Sequence, residues 1–150
     1  MNALQTAAAP VQPAATPISR SAMVGTLRAL LLLEAAATLG LAIFLSLLAS
    51  GLRDFLGGDG GRAAEETVRL VAGFSFVFAI LAAVASRGAR RRRSWAWTLA
   101  AVLQLILAVG TAVAVFVAEW HPAYLVGFGL AAVVMVVLST AAVRRALGQE

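Results

Sequence analysis

The sequence predicts an all-α fold, a four-transmembrane-helix antiparallel bundle with both termini on the cytoplasmic side (N-in/C-in). Three observations lead there. Apolar side chains make up 61% of the 150 residues and charged ones only 13%, against about 45–50% and about 25% in an ordinary soluble domain. The apolar residues fall into four runs, each close to the roughly 20 residues that carry a helix across a hydrocarbon core about 30 Å thick. The charges fall between the runs, and every basic residue is an arginine.

Residues 1–22 contain Pro10, Pro13 and Pro17 among scattered alanines and read as a disordered cytoplasmic tail. They lack the charged start and apolar middle of a secretory signal. The first apolar helix is therefore expected to act as an uncleaved membrane signal. A four-helix membrane domain, 23–147, follows. Its first span, about 24–50, carries only Arg28 and Glu34 as charges. An outer loop, 51–67, has the glycine-rich centre GGDGG. Beyond it, Arg62 and Glu66, and Glu65 and Arg69, stand four apart and can pair along one helix face. The second span covers about 68–86, with a basic inner loop at 87–94. The third, about 95–118, and the fourth, about 123–143, carry no charge, and 148–150 form a short tail. In lipid each segment must satisfy its own backbone polar groups, so the spans are helices.

Orientation comes from the arginines. Arg87, Arg90, Arg91, Arg92 and Arg93 share one loop, and Arg20, Arg28, Arg144 and Arg145 flank the ends on the same side. Arg53, Arg62 and Arg69 lie opposite, diluted by Asp54, Asp59, Glu65, Glu66 and Glu119. Short cytoplasmic loops collect positive charge. Trp95 and Trp97 on that side, and Trp120 and Tyr124 on the other, fit interfacial aromatic belts.

Several functional classes drop out. There is no cysteine and the single histidine, His121, precedes Pro122 in a short turn. Disulfides, thiolate metal sites and multi-histidine zinc or haem centres are excluded, and no metal or cofactor is expected. The outer acids match no calcium-loop spacing. RGARRRRSW has the charge for nucleic acid but no recognition fold beside it. We read Arg87, Arg90–Arg93, Arg144 and Arg145 as topology signals that meet anionic lipid headgroups, and expect no nucleic-acid partner. GFGLAA, from Gly127, fits a dinucleotide fingerprint only in letters, because it lies inside an apolar run and follows no strand. No nucleophile–base set or phosphate loop is present, so no enzyme is expected.

Small residues suggest how the spans meet. Ala123, Gly127 and Ala131 recur every four residues, as do Gly110, Ala114 and Ala118; a second stripe on span one is Ala36 and Gly40. Such spacing lets helices approach closely. Spans three and four are joined by a few residues, so they are expected to be antiparallel neighbours along these stripes.

Glu34 is the one carboxylate inside a span. With Arg28 reaching back to the interface, it sits about 8 Å deep; Gln104, counted from Trp97, sits about 10 Å deep. An ionisable group there costs roughly 2.5–3.5 kcal/mol on insertion scales, offset by the surrounding leucines. Ser139 and Thr140 are expected in the same layer. The four should therefore face one another as an intramembrane polar cluster rather than face lipid. Its plain reading is a hydrogen-bond clasp between Glu34 and Gln104; its sharper one is proton or substrate coupling through Glu34.

LRALLLLEAAATLGLA and RSWAWTLAAVLQLILAVG, with a last span ending in paired arginines, resemble small four-span membrane proteins of high-GC actinobacteria. These often carry a glutamate after a leucine run in span one and a glutamine in span three, here Glu34 and Gln104. The resemblance implies the fold and a bacterial inner membrane, and no activity. A glutamate in span one of four is also similar to small multidrug-resistance transporters. The longer loops and the strong arginine bias depart from that pattern. The expected role is a non-enzymatic accessory, scaffold or complex-assembly component with a protein partner or a second copy of itself. The alternative is a small proton-coupled transporter.

Overall fold

Leucine and alanine, both strong helix formers, fill the long runs, and the interiors contain no proline that would break them. The computed structural model describes residues 17–117 and 123–149, and every element among them is helical. They are α1, Pro17–Leu56; α2, Gly58–Arg90; α3, Ser94–Val117; α4, Ala123–Ser139; and α5, Ala141–Ala146. Three helices, α1 to α3, are long and apolar enough to cross a membrane. α4 is shorter, at 17 residues.

Helix ends depart from the sequence reading in four places. α1 begins at Pro17, inside the stretch 1–22 read as a tail. Proline fits a first helical position, where an N–H has no intrahelical partner to lose. The GGDGG run is not a flexible loop: only Gly57 separates α1 from α2, and Gly58–Gly61 form the first turn of α2. Gly57 and Gly58 carry φ of 64° and 56°. That left-handed backbone reverses the chain in one step and suits glycine. The basic loop 87–94 shrinks to Arg91–Arg93, because α2 continues to Arg90. The fourth apolar run breaks at Thr140, whose extended backbone (φ −64°, ψ 136°) separates α4 from α5. Of the two anticipated ion pairs, Glu65–Arg69 forms at 2.7 Å, whereas Arg62 turns to Asp59 at 3.9 Å instead of Glu66. Both pairs involve exposed arginines and contribute at most about 1 kcal/mol each.

The α2–α3 turn is a Schellman arrangement. Arg92 N–H donates to the Ala89 carbonyl and Arg93 N–H to the Gly88 carbonyl, which satisfies carbonyls that the helix end leaves free. The left-handed position belongs to Arg92, with φ 51°. A Cβ on Gly88 would lie 2.8 Å from Ala96 Cβ and 2.7 Å from the Trp95 ring. Glycine there is what lets α3 fold back so closely.

α1 and α2 share the most extensive interface; α2 also packs on α3, α3 on α4, and α4 and α5 on α1. The four long helices thus form a ring in which α1 and α3 face each other across the diagonal. Along the α1–α2 seam Ala35, Ala42 and Ala49 are buried at intervals of seven, as are Ala72 and Ala79, and Ala82 and Ala89. A seven-residue repeat keeps one stripe facing a partner helix along its whole length. Alanine on both sides brings the backbones close.

The core is concentrated at the arginine end. Leu27, Leu31, Leu103, Val134, Leu138 and Val143 are all at most 1% exposed and pack together there. From Leu105 to Phe116, no residue of α3 is buried. Phe116 is 89% exposed and Leu105 60%.

Gly88→Ala should destabilise the protein by about 1–3 kcal/mol, because the new methyl overpacks against Ala96. Arg92→Gly should stabilise it by about 1 kcal/mol through relief of the left-handed strain. Both are read as unfolding midpoints in detergent.

Candidate functional site

The diagonal of the ring is crossed by one polar contact. Gln104, on the inward face of α3, donates from Nε2 to Glu34 Oε2 on α1 at 2.7 Å. Glu34 is 1% exposed and Gln104 0%. Each sits among the leucines and alanines that close the arginine end: Leu31 and Ala35 beside Glu34, Ala100 and Leu103 beside Gln104. A charge-assisted or neutral bond in such surroundings gains from the low local dielectric, and the same dielectric penalises any polar atom left over. Two are left over: Glu34 Oε1 and Gln104 Oε1 make no hydrogen bond. A protonated carboxyl holds the donor that Gln104 Oε1 lacks; an ionised carboxylate accepts only.

Ser139 and Thr140 do not join this pair. Ser139 donates to the Met135 carbonyl at 2.8 Å and Thr140 to the Val137 carbonyl at 2.7 Å, both acceptors on α4. The register of α3 against α4 explains the separation. Trp97 Nε1 donates to the Leu138 carbonyl at 3.1 Å, so Ser139 lies level with Trp97. Gln104 lies two helical turns away, about 10 Å. The expected four-residue cluster is therefore a pair. Trp97 is also more than an interfacial aromatic: it packs on the core and supplies a donor to a carbonyl near the C-terminal end of α4, where intrahelical donors run out.

The small-residue stripes are placed unevenly. Ala131 is buried, and Gly127 meets Thr111 Oγ1 of α3 at 3.4 Å from where its Cβ would stand. Gly40 and Gly110 would have nothing within 4 Å of a Cβ. Ala36 is exposed and Ala114 only half-buried; Ala118 and the side chain of Ala123 lie outside the described residues. The stripe at 36 and 40 points away from the α1–α2 seam, which uses Ala35 and Ala42. Arg87, Arg90, Arg91, Arg92, Arg93, Arg144 and Arg145 are all exposed at one end of the bundle. His121, Glu119 and Trp120 lie outside the described residues.

A cavity of about 360 Å³ opens beyond the pair, toward the Gly57 end, between α1, α2 and α3. Thr38, Leu41, Phe78, Leu107 and Thr111 line it. Its hydroxyls are engaged: Thr38 donates to the Glu34 carbonyl and Thr111 to the Leu107 carbonyl. Glu34 and Gln104 line neither this cavity nor the grooves at Arg28, Arg69 and Trp97. Among the described residues no group of three His, Cys, Asp or Glu side chains converges to hold a metal.

No family model, curated protein or solved structure matches the chain.

The chemistry of the site therefore rests on the pair itself. It can fix the relative position of α1 and α3, and it can hold a proton on a carboxyl sealed by aliphatic side chains. Gln104→Leu alone strands the Glu34 carboxyl without a partner and should cost about 1–3 kcal/mol. Glu34→Leu combined with Gln104→Leu should be nearly neutral, since both polar groups leave together. Equilibrium unfolding in detergent of the single and double variants distinguishes these outcomes. Trp97→Phe keeps the ring and loses the donor, and should cost about 1 kcal/mol in the same assay.

Proposed function

We propose that this chain is an integral membrane protein of the bacterial inner membrane with no catalysis of its own, a scaffold or assembly component for a protein complex. In this reading α4 and the start of α5 make the fourth span, about 123–143. Both termini and the arginine end face the cytoplasm, and the Gly57 turn faces outside. The hairpin α1–α2 then stands out of the bilayer. Its charged segment from Gly58 to Arg69 on α2 rises about 18 Å at 1.5 Å per residue, and Phe55 of α1, 86% exposed, lies near the tip.

One observation favours a structural over a transporting role: Glu34 and Gln104 are buried and line none of the four cavities described above. A carrier carboxylate needs a route from at least one side. The clasp needs none. Interhelical hydrogen bonds of this kind average about 0.6 kcal/mol in membranes, with a maximum near 1.7, enough to set how hairpins pack without dominating stability.

The second reading, a small proton-coupled transporter with Glu34 as the proton-carrying group, draws on the two unpaired oxygens. Purified chain in vesicles separates the two. The scaffold reading expects no pH-driven flux and recovery of one partner in constant ratio after mild-detergent purification. A flux abolished by Glu34→Gln overturns it. Tags at both termini should label only after the membrane is permeabilised; labelling in intact cells would contradict the orientation.

A further inference from the structure

At the arginine end a groove of about 410 Å³ runs between α1 and α2. Arg28 enters it from α1, and Arg87 and Arg90 from α2. None of the three has an acidic partner among the described residues, whose ion pairs are confined to the Gly57 end. The acid nearest in sequence to Arg28, Glu34, is buried on the other side of α1, turned to Gln104. Three like charges collected on one groove repel one another unless an anion sits between them.

The groove has a second, neutral feature. Ser86 lines it and is 1% exposed. Thr26, Thr38, Ser46 and Ser75 return their hydroxyls to carbonyls one turn back on their own helices. Ser86 makes no such bond among the described residues. Its hydroxyl is a donor in the groove wall beside the arginines. Past Ser86 the walls turn apolar: Leu32 from α1, and Ile80 and Val84 from α2. Polar at the mouth and aliphatic along its length, the groove has the polarity profile of a phospholipid.

We propose that this groove binds one anionic phospholipid. Arg28, Arg87 and Arg90 take the phosphate with Ser86 as a further donor, and an acyl chain lies along Leu32, Ile80 and Val84. The proposal rests on the bilayer reading above. It goes further in assigning a discrete site, set apart from the general attraction of Arg91–Arg93, Arg144 and Arg145 to a charged surface. Basic pockets between helices on the cytoplasmic side recognise headgroups in this way.

Native mass spectrometry of the full chain in detergent, with added phosphatidylglycerol, phosphatidylcholine or inorganic phosphate, tests it. One phosphatidylglycerol should be retained per chain, in preference to phosphatidylcholine. Arg87→Ala with Arg90→Ala should weaken retention roughly thirtyfold, about fivefold for each arginine. Arg144→Ala with Arg145→Ala removes the same charge outside the groove and should keep retention. Ser86→Ala should weaken it severalfold. Equal losses in both arginine pairs, or no preference for phosphatidylglycerol, overturn the site in favour of diffuse charge. Full displacement by inorganic phosphate overturns it in favour of a soluble anion. A chain that stays in solution without detergent and floats with no vesicles fails the bilayer reading itself.

Discussion

A hydrogen bond from Gln104 to Glu34 spans the diagonal of this bundle, and the rest of the structure is arranged around keeping it dry. Adjacent helices in this ring share packed seams; helices on the diagonal do not. The arginine-end core is drawn in from both sides, with Leu27 and Leu31 on α1 and Leu103 on α3, up to the level of the pair. Beyond that level the helices part, a cavity opens, and α3 buries nothing further. The pair marks the boundary between the closed and open halves.

The closed half also holds tight backbone geometry of its own. Gly88 admits Trp95 and Ala96, Arg92 takes the left-handed turn, and Trp97 ties α3 to Leu138 of α4. Each sets the height of α3 relative to its neighbours, and hence the height of Gln104. At the opposite end the α1–α2 hairpin holds itself together without the other helices, through its alanine seam. One hairpin therefore buries alanines along most of its length, and the other buries side chains mainly toward the arginine end.

The pair was legible in the sequence because two strongly polar side chains inside apolar runs have few alternatives to each other. Ser139 and Thr140 misled for a physical reason: a hydroxyl on a helix can satisfy itself on its own backbone, so it carries no obligation to a neighbour. Packing was less legible. In a chain so rich in alanine, a four-residue stripe at Ala36 and Gly40 and a seven-residue stripe at Ala35, Ala42 and Ala49 compete, and the longer repeat won because it matches a partner over about four turns rather than one. GGDGG read as a loop because glycine is weak in helices; capped between two long helices that pack on each other, four of those five residues are helical all the same. Gly88 offered no signal until its neighbours Trp95 and Ala96 folded back onto it.

Dipolar-recoupling solid-state NMR on the chain in lipid bilayers, with Gln104 side-chain nitrogen and Glu34 carboxyl carbon isotopically labelled, measures the central contact itself. The account predicts a nitrogen-to-carbon separation of about 3.5 Å, as a direct N–H···O bond requires. Absence of dephasing, which places the two groups beyond bonding reach, would contradict it.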